Sequence, residues 1–63
     1  MIINGKEYQF KDITIKEVLK EFNLNEEKVV VEVNFEIIPK EQYGNFILKQ
    51  NDSLEVISFV GGG

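Results

Sequence analysis

Hydrophobic and polar positions change rhythm along the chain, from alternation to a three-to-four-residue repeat and back again. Met1–Ile3 and Lys6–Phe10 flank Asn4-Gly5, the dipeptide that best tolerates the two positive φ angles of a type I′ turn, so a β-hairpin is predicted. Setting Ile3 opposite Lys6 brings Met1, Ile3, Tyr8 and Phe10 onto one face and leaves Glu7 and Gln9 on the other. Thr14 and Glu17 have capping-box spacing, and Ile15, Val18, Leu19 and Phe22 then recur at i, i+3, i+4 and i+7, the signature of one amphipathic helix stopping near Asn23 or Asn25. Val29–Val33, β-branched except at Glu32, predicts a strand that Asn34-Phe35 turns into a short partner at 36–38, ended by Pro39. Residues 40–45 predict an irregular turn or a single helical turn and Ile47 and Leu48 a return to the core, with Phe10, Phe22 and Phe46 also in it. A turn at 50–53 precedes the last strand, 54–59. The order predicts an α+β domain over residues 1–60, one helix packed on one face of a mixed sheet, followed by a glycine tail at 61–63.

One helix covers only one side of a sheet. If Leu54 and Val56 are buried, Ile57 and Phe59 turn outward with Glu55; if Val29, Val31 and Val33 are buried, Val30 turns outward beside Glu32. An apolar surface rimmed by charge is a candidate protein-docking face, so Val30, Ile57 and Phe59 are the expected partner contacts.

Sixty-three residues bury a single small core, with a net stability of about 3–5 kcal/mol expected for such a chain. Hydrophobic residues at 43% and charged residues at 29% place it among folded rather than disordered sequences. Eleven acidic against seven basic residues give a formal charge of −4, which repels nucleic acid and anionic membrane surfaces and favours a basic protein partner. Cysteine and histidine are both absent, which removes disulfides, cysteine or histidine metal ligation and nucleophile–histidine catalysis. Neither a secretion signal nor a run of about 20 apolar residues is present, so a cytoplasmic location is expected.

Three of the five glycines are Gly61, Gly62 and Gly63. At average composition three consecutive glycines at a given place arise with a probability of roughly 0.0003. Such a segment contributes nothing to a core, but it can thread a channel too narrow for side chains. Extended, it projects a terminal carboxylate roughly 10 Å beyond the last strand. An ionised carboxylate is a poor electrophile and needs activation, for which transfer to the α-phosphate of ATP is suited; a sulfur nucleophile then displaces AMP and leaves a thiocarboxylate. The chain itself has no phosphate-cradling loop and no base of suitable pKa, so partner enzymes must do the chemistry. The alternative is a frayed end or an appended scar.

The ending Phe59-Val60-Gly61-Gly62-Gly63, the segment Val33-Asn34-Phe35-Glu36-Ile37-Ile38-Pro39-Lys40-Glu41-Gln42-Tyr43 and the Asn4-Gly5 hairpin together resemble the ThiS sulfur carriers of bacterial thiamine synthesis over nearly the whole chain. Asn34, Ile38, Pro39, Lys40 and Tyr43 stand where the family commonly has Asn, an aliphatic residue before Pro, a basic residue and an aromatic. Asn51-Asp52 departs from the Gly-Asp of many relatives. The resemblance implies a ubiquitin-like β-grasp fold and a carrier, not an enzyme. It implies that Gly63 bears first an adenylate and then the sulfur, with Gly61 and Gly62 threading into each partner. The implied partners are a ThiF-type adenylating enzyme that uses ATP and magnesium, a sulfur donor such as a cysteine desulfurase, and a ThiG-type thiazole synthase; no bound cofactor or metal is implied for the chain itself. The small subunit of molybdopterin synthase, a protein-conjugating modifier and a plain ubiquitin-like binding module are the competing readings.

Overall fold

Two turns and one capping box set the frame of the computed structural model, which describes residues 1–59. Strands β1 (Ile2–Ile3) and β2 (Lys6–Glu7) pair antiparallel with Ile3 opposite Lys6, the predicted register. Asn4 and Gly5 between them have φ of 51° and 82°, the two positive values a type I′ turn requires. The regular ladder is shorter than the predicted 6–10, although the Tyr8 N–H still donates to the Met1 carbonyl at 2.8 Å.

β3 (Ile13–Thr14) leads into helix α1 (Ile15–Glu21). The Thr14 hydroxyl accepts from the Glu17 N–H at 3.1 Å while the Glu17 carboxylate accepts from the Thr14 N–H at 2.8 Å, a complete capping box. At the other end Asn23 adopts a φ of 57°. The Asn23 N–H then donates to the Lys20 carbonyl at 3.1 Å and the Leu24 N–H to the Leu19 carbonyl at 2.8 Å, a Schellman closure in which asparagine takes the left-handed position more often held by glycine. Between these caps Ile15, Val18 and Leu19 are buried, each such side chain stabilising the fold by about 1.5–3 kcal/mol relative to exposure.

The remaining strands are β4 (Val29–Val33), β5 (Glu36–Ile37), β6 (Ile47–Leu48) and β7 (Ser53–Ser58). The main sheet has the order β2-β1-β7-β4-β5, with β1 and β7 parallel and the other pairs antiparallel. β3 and β6 form a separate two-stranded ladder that the alternation did not predict. The architecture is the expected α+β arrangement, a mixed sheet with one α-helix on it. Val31 and Leu54 from the sheet and Leu48 from β6 are fully buried against the helix residues.

Some predicted core positions lie at the margin. Ile47 is 44% exposed because successive residues of a strand face opposite ways and Leu48 takes the inward side. Phe10, Phe22 and Phe46 are only half-buried, packed on the edge of the core. Tyr8 stacks on Phe10 at 5.7 Å and meets Phe22 edge-on at 5.3 Å between ring centroids, so these rings cover the open end of so small a core.

Asn34-Phe35 is the second two-residue hairpin turn, with φ of 52° and 72°. Phe35 therefore holds a left-handed conformation unfavourable to a bulky side chain, and it is 91% exposed. Relieving that strain with Phe35→Gly is expected to stabilise the domain by about 1 kcal/mol, read as a higher urea midpoint at unchanged m value. Tyr43 provides a second test. Burial raises its pKa above the ordinary 10.0, with the Val31 backbone opposing. The folded protein thus keeps the phenolic proton at pH values where the unfolded chain loses it, so stability is retained below about pH 10 and falls as pH rises above it. Thermal melts across that range are expected to show a smaller alkaline decline for Tyr43→Phe than for the parent.

Candidate protein-docking face

Strand parity sorts the sheet into a covered face and an open one. Leu54 and Val56 of β7 are buried beneath α1, as are Val29, Val31 and Val33 of β4. The intervening positions face the other way. Across the β4–β7 ladder Val30 lies opposite Ile57, and Glu32 opposite Glu55; Ile37 of β5 lies on the other side of Glu32. Ile57 is 47% exposed, Phe59 57% and Ile37 65%, whereas Val30 is half-buried. The three expected contacts, Val30, Ile57 and Phe59, thus lie on β4 and at the end of β7, and two of them are freely accessible.

Ile37 was not among the expected contacts. The signal for it was present: a two-residue turn at Asn34-Phe35 fixes Val33 opposite Glu36 and hence Ile37 opposite Glu32, on the outward face.

The position of this face follows from the bonding of β7. Asn4 and Asn34, one in each turn, both reach it: the Asn4 side-chain oxygen accepts from the Val56 N–H at 2.8 Å and the Asn34 oxygen from the Ser53 N–H at 3.0 Å. The Asn34 amide also donates to the Asp52 carboxylate at 3.0 Å, and the second Asp52 oxygen accepts from the Lys49 N–H at 2.8 Å. At the other end of β7 the Phe59 N–H donates to the Lys28 carbonyl at 3.1 Å. The chain is therefore held to the sheet through its last described residue. Gly61, Gly62 and Gly63, the positions expected to thread into partners and carry the sulfur, lie outside the described residues.

Among the described residues no group of three or more His, Cys, Asp or Glu could hold a metal ion, and no described helix is long and apolar enough to cross a membrane. Lys40, in the central segment, donates to the Glu27 carboxylate at 2.6 Å, and this contact raises its pKa. An open depression beside the C-terminal half of α1, lined by Lys16, Leu19, Lys20 and Asn23 among others, lies away from the open sheet face.

Comparison with known proteins gives this arrangement its family. A family profile described as the ThiS family matches residues 1–63. The sulfur carrier protein ThiS of Bacillus subtilis (strain 168) is 41% identical over 63 residues, covering 97% of this chain and 96% of that protein. A thiazole synthase of Paramagnetospirillum magneticum is 39% identical over 64 residues, covering 100% of this chain, which spans only 20% of that longer protein. The crystal structure of the thiamine biosynthesis protein ThiS from Geobacter metallireducens superposes with a TM-score of 0.77 at 29% identity, covering 98% of this chain and 96% of that one. The family match over residues 1–63, the identity to the Bacillus subtilis protein over almost the full length of both chains and the superposition on a ThiS structure make the chain a member of the ThiS family, with its ubiquitin-like β-grasp fold.

Proposed function

We propose that this chain is a sulfur carrier protein of thiamine biosynthesis, with the carboxylate of Gly63 as the carrying group. The observation that supports it most directly is the end-to-end similarity to the Bacillus subtilis sulfur carrier, which is 41% identical over 63 residues. In the first step the Gly63 carboxylate attacks the α-phosphate of ATP on an adenylating enzyme, releasing pyrophosphate and forming an acyl-adenylate. A sulfur nucleophile at the oxidation level of sulfide then attacks the acyl carbon; the C–S bond forms as the bond to AMP breaks, and a thiocarboxylate remains. Thiazole synthase takes the sulfur from it. The relation to a thiazole synthase in which a sequence like this one makes up 20% of the protein supports that recipient, since joining carrier and acceptor raises their effective concentration.

Each part of the chain has a task in this reading. The open face carrying Val30, Ile57 and Phe59 docks on the enzymes, and Gly61 and Gly62 are slim enough to pass into their active sites. The carrier supplies no catalytic group, and ATP and magnesium belong to the adenylating partner.

Intact-protein mass spectrometry after incubation with ATP, magnesium, a ThiF-type adenylating enzyme and a sulfide source tests the chemistry. The expected result is a mass gain equal to sulfur replacing oxygen, localised to Gly63 and absent from a chain lacking Gly62 and Gly63; an unmodified parent chain beside a positive-control carrier that is converted would refute it. Docking has its own test. Ile57→Ser is expected to slow adenylation while altering stability by no more than about 0.5 kcal/mol, whereas Leu54→Ala, in the core, costs about 2–5 kcal/mol. Urea denaturation and initial adenylation rates on the same samples separate the two effects.

A further inference from the structure

The open face contains an unfavourable feature that the fold does not need. Glu32 and Glu55 are direct cross-strand partners at the middle of the β4–β7 ladder, with Cβ atoms expected within about 4.5–5.5 Å of each other. Like charges in this relation oppose folding. Neither carboxylate is relieved within the described residues: the ion pairs join the N-terminal ammonium to Glu7, Lys40 to Glu27 and Lys49 to Asp12, and no side-chain hydrogen bond reaches Glu32 or Glu55. Residues 60–63 contain no basic side chain.

The surroundings make this pair more than two surface charges. Ile37 flanks Glu32 on the β5 side, and Val30 and Ile57 form the adjacent cross-strand pair toward the end of β7. Glu32 is itself half-buried. A protein that covers Ile37 and Ile57 must also cover the two carboxylates between them and strip water from both. That desolvation is unfavourable unless the covering surface supplies positive charge.

We propose that the surface of thiazole synthase that takes this face places an arginine or lysine side chain against Glu32 and Glu55, with apolar contacts around it on Ile37, Val30 and Ile57. The inference rests on the proposed delivery of sulfur to thiazole synthase and adds the chemistry of the matching surface. The carrier's charge of −4 acts in the same direction at longer range, and one guanidinium can address both carboxylates through its several N–H donors. The repulsion present in the free carrier is then released in the complex, which favours the bound state over the free one.

The test titrates the full chain into the thiazole synthase of the same genome at about 0.01 M and about 0.15 M salt, comparing the parent with the double variant Glu32→Gln and Glu55→Gln. The parent is expected to bind more tightly at low salt. The double variant is expected to lose at least about tenfold in affinity there and most of the salt dependence, while melting no lower than the parent because the repulsion is gone. Single Glu55→Lys is expected to bind more weakly than Glu55→Gln. Equal affinity and equal salt dependence for parent and double variant would overturn the cation contact while leaving docking on thiazole synthase intact. A loss of affinity accompanied by a lower melting temperature would also overturn it, assigning the glutamates to the fold. No binding by the parent at either salt would instead overturn delivery to this enzyme, and the cation contact with it.

Discussion

The structure depends on the hydrogen bonding of one strand. β7 lies at the centre of the main sheet, parallel to β1 on one side and antiparallel to β4 on the other. A strand buried on one face and flanked on both edges has N–H and C=O groups that must all find partners. β1 supplies only two residues to its edge, and the Asn4 side chain extends that edge by accepting from the N–H of Val56; on the opposite edge Asn34, just beyond β4, accepts from that of Ser53. Both asparagines also carry the positive φ of their turns. Each therefore reverses the chain and closes the ladder, which explains why a domain this short tolerates two tight hairpins beside such brief strands.

The second constraint is scarcity of cover. A seven-residue helix buries Ile15, Val18 and Leu19 against one face, and among the described residues no further element covers the other. The aromatic group of Tyr8, Phe10 and Phe22 closes one end of the core without being buried itself. Apolar side chains remain on the open face of β4, β5 and β7, alternating with the carboxylates of Glu32 and Glu55. The core-forming side chains therefore lie on one side of the sheet, and the side chains proposed to meet partner enzymes lie on the other.

The family membership and the proposed chemistry agree with this division. The chain has no histidine or cysteine, and no metal-binding cluster occurs among its described residues. In the proposed function the enzymes supply ATP, magnesium, sulfur and general acid–base groups. In that reading the carrier supplies a recognisable face and a glycine tail, and the bonding of Phe59 to Lys28 holds the last described residue beside the start of β4.

How much was legible in the sequence depended on whether the signal was local. Asn4-Gly5, the Thr14–Glu17 capping box, the helical stripe through Ile15, Val18 and Leu19 and the alternation in Val29–Val33 each act within a few residues and formed as read, whereas Phe22, the next member of the stripe, caps the helix at the edge of the core. The outward direction of Ile57 and Phe59 follows from the same alternation, given Leu54 and Val56 in the core. The β3–β6 ladder was not legible, because two-residue strands have no period to detect and are created by contacts between distant parts of the chain. Nor was the exposure of Ile47 or the marginal position of Phe46: hydrophobicity says that a residue gains from burial, while the volume under one short helix decides which residues obtain it. The opposition of Glu32 and Glu55 likewise needed the β4–β7 register. Sequence by itself determined the turns, the helix and the alternation of faces, because those are set by neighbouring residues; tertiary structure alone decided which strands met, in what register, and so which charges had to share one face.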